Sequence, residues 1–246
     1  MTMTLLQIHN VTKRFGGLVA VDDCTFQVEE GSITALIGPN GAGKTTAFNL
    51  ISGLLPLDAG QVMFDGKRLD KLPPHQITRN GLSRTFQISR DLMEMTVMEN
   101  LVVHSPTEGL MDLLKGSMLK KELDRAMELL EFVGITHLAY EKAKSLSYGQ
   151  KKLMEFAATL MTDPRMIMLD EPAGGINPAL LENILEKIVD VNKQGVTFLI
   201  VEHNMDVVMN FCNPVIVMAY GTVLAEGTPD EVQNNPQVLE AYLGGK

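Results

Sequence analysis

SITALIGPNGAGKTTAFNLI, residues 32–51, decides the fold. A short apolar, β-rich run (SITALI) is followed by a glycine-rich turn and then a helical pattern (AFNLI). The turn, Gly38-Pro39-Asn40-Gly41-Ala42-Gly43-Lys44-Thr45, fits G-x-x-x-x-G-K-[ST] in the strand–loop–helix context the motif requires. Its glycines let successive backbone N–H groups turn inward on phosphate oxygens, where a side chain would block them. Lys44 reaches β- and γ-phosphates, Thr45 offers a hydroxyl to Mg2+, and Thr46, next on the helix start, is also expected to bind the nucleotide. The positive end of the helix dipole adds to the same site. The competing explanation, a glycine turn that only caps a helix, leaves Lys44 and the preceding strand unexplained.

Outward from this stretch, a second chemical signal stands at Met166-Ile167-Met168-Leu169-Asp170-Glu171. Four apolar residues make a buried strand, and two acids sit at its C-terminal end, where open α/β sheets bind ligands. Asp170 suits Mg2+ through its water shell, and Glu171 suits orienting or deprotonating an attacking water. Two solvated acids at a strand exit are common; beside an intact phosphate loop they point to nucleotide chemistry.

Residues 21–28, 32–38, 61–66, 165–170, 195–202 and 214–221 are expected to be strands, with 221–227 the second arm of a hairpin. Helices are expected over 43–53, 122–133, 148–162, 178–193, 204–212 and 229–242. Leu153, Phe156, Ala157 and Leu160 place one apolar stripe on one helix face. The class is α/β. The chain is expected to be one domain, 1–246, with a core and β part over 1–87 and 163–246. A helical lobe is inserted over about 88–162.

Composition agrees with a sizeable core. The 246 residues are 45% hydrophobic, 21% charged and 5% aromatic, with a formal charge of −9. That excludes dominant disorder, and the acidic balance argues against nonspecific nucleic-acid binding or a polybasic grip on lipid. Cys24 and Cys212 form no CxxC, so a zinc site or disulfide framework is not expected. The N-terminus lacks a basic region followed by an apolar run, and no stretch approaches the ~18 apolar residues of a membrane helix. Work at a membrane therefore calls for another chain to hold this one at the cytoplasmic face.

Leu146-Ser147-Tyr148-Gly149-Gln150 precedes the acid pair. Ser147 and Gln150 fit a capping box, and a capped helix start with a glycine also suits an anion. Between GPNGAGKT and MIMLDEP, this LSYGQ resembles the LSGGQ signature of ABC-type ATPases. Other elements of that family follow in order: Phe15 of KRFGG, Gln87 of RTFQ and His203 of VEHN. The resemblance implies a RecA-like P-loop NTPase core of mixed sheet, an antiparallel β part and the helical lobe. It also implies a head-to-tail dimer that sandwiches two ATP molecules. Phe15 would stack on adenine, and Ser147, Gly149 and Gln150 would contact nucleotide on the partner. Gln87 would couple Mg2+ to the helical lobe, Glu171 would be the general base, and His203 would touch the γ-phosphate. Two departures stand out: Tyr148 replaces the commoner Gly, and Asn177 of EPAGGINP stands where an Asp usually reaches across the dimer, without its charge.

GLSRTFQ (81–87), MTVMENL (95–101), VEHNMDVVM (201–209), YGTVLAEGTPDEV (220–232) and NNPQVLEAYLG (234–244) resemble the Liv-type ATPases of branched-chain amino-acid importers. That branch implies two transmembrane permease subunits, a second related ATPase or a second copy of this chain, and a solute-binding protein acting indirectly. Urea or amide importers and lipopolysaccharide-export ATPases share parts of these stretches. Met93, Met95 and Met98 either form a socket for a permease helix or pack inside the lobe. A soluble ABC-type ATPase of repair or ribosome work fits less well: such chains usually fuse two domains or carry long insertions.

Overall fold

Two β-rich segments and a run of alternating helices and strands organise the chain. The structure, a computed structural model, describes residues 3–85, 92–105 and 116–243, so Gln87 and the expected start of the helical lobe at 88 lie outside the described residues. In order, β1 (Thr4–Phe15), β2 (Leu18–Glu29) and β3 (Ile33–Ile37) lead into α1 (Lys44–Ile51). Then come β4 (Ala59–Phe64), β5 (Lys67–Arg68), α2 (Pro74–Arg79) and β6 (Leu82–Arg84). The helices α3 (Val97–Val102), α4 (Gly116–Phe132) and α5 (Tyr148–Leu160) pack on one another. After them follow β7 (Met166–Asp170), α6 (Pro178–Lys193), β8 (Thr197–Val201), α7 (Met205–Phe211), β9 (Val215–Ala219), β10 (Thr222–Gly227), α8 (Pro229–Gln233) and α9 (Pro236–Leu243).

The strands form a four-stranded sheet, β2-β1-β4-β5, and a six-stranded sheet, β10-β9-β3-β8-β7-β6. In the larger sheet β9, β3, β8, β7 and β6 run parallel, and only β10 pairs antiparallel. Its central strands β3, β7 and β8 are almost wholly apolar, with Thr34, Thr197 and Asp170 the polar members, because both faces are covered. Ala35 and Ile37 point into the core shared with α3, α5 and α6; Leu36 points to the opposite core with Phe48 of α1 and Phe26 and Val62 of the smaller sheet.

The structure adds short elements the sequence patterning does not show, β5, α2 and β6, and two larger differences have a clear cause. The first is β1, a strand with no clean alternation in sequence. It pairs with β2 and β4, but its register shifts between Ile8 and Val11, where Asn10 has φ +50°. Such a bulge breaks the alternation by which a strand is recognised. The helix expected over 229–242 is two helices. Pro236 supplies no N–H to continue α8 and disfavours helical geometry at Asn235, whose Oδ1 instead accepts from the Gln237 N–H at 2.9 Å.

The methionine alternatives divide. Met98 is buried in the core, whereas Met93 is 40% exposed with the Lys151 Nζ 3.6 Å from its sulfur. Among the described residues, no helix is long and apolar enough to cross a membrane.

Candidate functional site

Parallel pairing brings three strand ends to one edge. Leu36 is in register with Val201, and Val201 with Asp170. The next residues along each strand are therefore the phosphate loop, Glu202-His203 and Glu171. The fold thus concentrates the chemistry-bearing residues of three distant segments at the C-terminal edge of the sheet.

The loop itself is wedged. Gly38 has φ +149°, and a Cβ there would lie 2.0 Å from the Met218 carbonyl oxygen at the end of β9. Gly43, with φ +101°, would place a Cβ 2.5 Å from the Ala20 carbonyl of β2. Gly221 donates to the Ala42 carbonyl at 3.0 Å. Gly41, also left-handed at φ +80°, faces open space. Gly38→Ala should therefore destabilise the fold by about 2–4 kcal/mol, from overpacking plus backbone strain, against about 1 kcal/mol for Gly41→Ala. Urea unfolding of the two variants checks this; equal midpoints would show that β9 yields freely.

The N-cap of α1 is Gly43, which has no side chain to cap the helix. By contrast Thr96, Ser147, Asn177, Asn204 and Thr228 each cap a helix through side-chain oxygen. The first N–H groups of α1 are thus left for an anion. Lys44 is 6% exposed, and its Nζ donates to the carbonyls of Gly38 at 2.7 Å and Pro39 at 3.0 Å. Burial lowers its pKa, while nearby Glu171 and Asp170 push it back up. Those opposing influences place the ammonium and both carboxylates in one electrostatic neighbourhood. Tyr242 of α9 also reaches the loop: burial raises its phenol, and the Gly38 N–H donating to it acts in the opposite sense.

Asp170 is 3% exposed and paired with Arg84 at 2.8 Å. Arg84 also donates to Asn49 Oδ1 at 2.8 Å and Ser52 Oγ at 3.0 Å, and lies 5.4 Å from the Phe48 ring centroid. Arg84 therefore ties β6 and β7 to α1, a role only tertiary pairing reveals. Glu171 has φ +50°, and its Oε1 lies 3.1 Å from His203 Nε2. Glu202, also overlooked in sequence, is 3% exposed. Its Oε1 accepts the Ala173 N–H at 2.7 Å, and its Oε2 accepts those of His203 at 2.8 Å and Asn204 at 3.0 Å.

The signature segment folds as a capped helix start. Ser147 Oγ accepts the Gln150 N–H at 3.3 Å, and Gln150 Oε1 accepts the Ser147 N–H at 2.8 Å. A Cβ on Gly149 would meet Leu180 Cδ2 at 2.2 Å, so this glycine also serves packing against α6. Tyr148 finds a partner of its own: its hydroxyl donates to the Gly174 carbonyl at 3.2 Å. Asn177 caps α6, its Oδ1 accepting the Leu180 N–H at 2.9 Å. Phe15 stands 47% exposed at the end of β1, with Lys13 Nζ 5.6 Å from its ring centroid. Its hairpin meets the phosphate loop through Ala20 against Gly43.

Comparison with known proteins shows the family. Residues 21–174 match the family described as ABC transporter, and residues 222–246 match the one described as branched-chain amino acid ATP-binding cassette transporter. The chain is 44% identical to the probable branched-chain amino acid transport ATP-binding protein LivG of Archaeoglobus fulgidus, over 99% of this chain and 97% of that protein. It is 41% identical to the high-affinity branched-chain amino acid transport ATP-binding protein BraF of Pseudomonas aeruginosa, over 99% of each. Among solved structures, the ADP conformation of an ATP-binding cassette superposes with a TM-score of 0.87 at 38% identity, covering 99% of this chain and 100% of that one. A nucleotide-free cassette gives 0.86 at 37% identity, covering 97% and 98%. With a wedged phosphate loop, the Asp170-Glu171 strand exit and a match over most of its length, the chain belongs to the ABC transporter family as an ATP-binding, ATP-hydrolysing cassette.

Proposed function

We propose that this chain is the ATPase subunit that powers import of branched-chain amino acids. It would be held at the cytoplasmic face of the membrane by two permease subunits and would work beside a second cassette. The observation that carries the hydrolytic part is the 3.1 Å approach of His203 Nε2 to Glu171 Oε1 next to the phosphate loop. Glu171 takes a proton from the attacking water as the water oxygen bonds to the γ-phosphorus and the bond from that phosphorus to the β–γ bridging oxygen breaks, leaving ADP and inorganic phosphate. His203, placed beside that carboxylate, turns its single N–H to a γ-phosphate oxygen when nucleotide is bound. Lys44 and the open N–H groups of α1 hold the β- and γ-phosphates. Phe15, on its exposed hairpin, supports the adenine.

The residues also suit Mg2+. Among the described residues, no cluster of His, Cys, Asp and Glu could hold a metal by itself. Thr45 and Asp170 offer hard oxygen donors beside the phosphate site, and Mg2+ typically takes one or two protein oxygens with phosphates and waters completing its shell. Bound there, Mg2+ would neutralise phosphate charge. Gln87 is proposed to link this site to the helical segment. Ser147, Gly149 and Gln150 are proposed to face the nucleotide of the opposing cassette, in line with a dimeric bacterial ABC transporter cassette that is 25% identical.

The substrate rests on the relatives' names and on the match over residues 222–246. Purification of the tagged chain from detergent-solubilised native membranes, with ATP and Mg2+, tests the assembly. Two multi-span proteins and a second cassette are expected to come with it, and leucine uptake is expected to fall when the chain is deleted. A lone dimer, or a complex with nucleic acid, would overturn the transport role while leaving the ATPase chemistry.

A further inference from the structure

β8 delivers two ionisable residues in succession, and the hydrolytic roles proposed above use only the second. Glu202 is 3% exposed, yet both of its oxygens are engaged by backbone N–H groups. Those donors come from two different strand exits. Ala173 lies two residues beyond Glu171, on the exit of β7. His203 and Asn204 lie on the exit of β8. One carboxylate therefore clamps together the two loops whose side chains meet at the Glu171–His203 contact. The clamp extends into α7: Asn204 Oδ1 accepts from the N–H groups of Asp206 at 3.0 Å and Val207 at 3.3 Å.

The chemistry of the clamp is specific. A carboxylate presents acceptors at both ends of a planar fork, three bonds from the backbone. A glutamine of the same shape presents one acceptor and one NH2 group. Whichever way its amide turns, at least one buried N–H then meets another donor. If the NH2 faces Ala173, the β7 exit is released. If it faces His203 and Asn204, His203 loses its backbone anchor. A short contact of 3.1 Å between two partly exposed side chains does not survive independent movement of their loops.

We infer that Glu202 is a positioning residue for ATP hydrolysis, a buried clamp that holds the His203 loop in register with the Glu171 loop. This rests on the proposed roles of Glu171 and His203. It does not require Glu202 to touch nucleotide.

The test compares the full chain, with its partner subunits where activity needs them, as wild type, Glu202→Gln, His203→Ala and the double variant. Glu202→Gln is expected to lower kcat by roughly 10–100-fold, because unsatisfied buried donors displace the catalytic loop, with the KM for ATP unchanged. Added to His203→Ala, it should cost no more than about twofold further, since two residues acting through one contact are not additive. A wild-type kcat for Glu202→Gln, beside an impaired His203→Ala, would overturn the clamp and leave the histidine role standing. A fully additive double variant would assign the loss to general destabilisation and overturn it too. An active His203→Ala would instead overturn the histidine role on which the clamp rests. If the Gln variant does not fold, Glu202→Asp carries the test, because it keeps both acceptors one methylene short. A fall in kcat at constant KM supports the clamp, and full activity overturns it.

Discussion

Replacing Glu171 by Gln is expected to slow ATP turnover by ~10²–10⁴-fold while leaving ATP binding intact, the loss typical of removing a general base. The substitution is nearly isosteric. Gln keeps an oxygen that accepts from His203 Nε2, so the 3.1 Å contact has a replacement. It also tolerates the left-handed backbone at φ +50° as well as Glu does, so the β7 exit need not move. What it cannot do is take a proton from water. On the proposed roles, the phosphate loop rather than this side chain holds nucleotide, so affinity should persist and an ATP-bound closed dimer should accumulate. Phosphate release, measured beside equilibrium nucleotide binding, checks both halves. Wild-type turnover in the variant would remove Glu171 from the role of base.

Replacing Lys44 by Ala should act on binding itself. The ammonium is buried to 6% exposure and held over the loop by the Gly38 and Pro39 carbonyls, so it is aimed before any phosphate arrives. Losing a charged donor to phosphate is expected to weaken ATP affinity by about 10–150-fold. A smaller loss of stability should accompany it, since two carbonyls lose their donor. Calorimetric titration with ATP, set beside thermal unfolding without nucleotide, separates the two effects. Unchanged affinity would detach Gly38–Thr45 from phosphate binding altogether. Lys44→Ala and Glu171→Gln should also differ in kind: the first fails to load nucleotide, the second loads and stalls.

These two residues stand in contiguous motifs, which is why the sequence exposes them. A phosphate loop must place glycines, a lysine and a hydroxyl within one turn of a helix start. Asp170 and Glu171 are announced by four apolar residues of a strand covered on both faces. The Ser147–Gln150 capping box needs only a spacing of three, and it forms as written. In each case the interacting groups are neighbours along the chain, so their chemistry survives without knowledge of the fold.

The remaining parts of the site depend on distance in sequence being closed by folding. Arg84 meets Asp170 across 86 positions, and Glu202 meets Ala173 across 29. Nothing local distinguishes that arginine from a surface cation, or that glutamate from a solvated acid beside a histidine. Gly149 reads as a signature glycine from sequence, and the packing reason for it, Leu180 leaving no room for a Cβ, is visible only in the fold. Asn177 differs from an Asp by a charge, but whether it caps α6 depends on where the chain turns. The glycine-rich loop, the acid-bearing strand and the family were legible in the amino-acid order alone, because each is written in residues that are neighbours along the chain. Folding alone settles which buried carboxylate pairs with an arginine, Asp170 with Arg84, and which binds backbone, Glu202. A buried charge takes whatever donors the completed sheet brings within about 3 Å, and the sheet exists only after distant strands have paired.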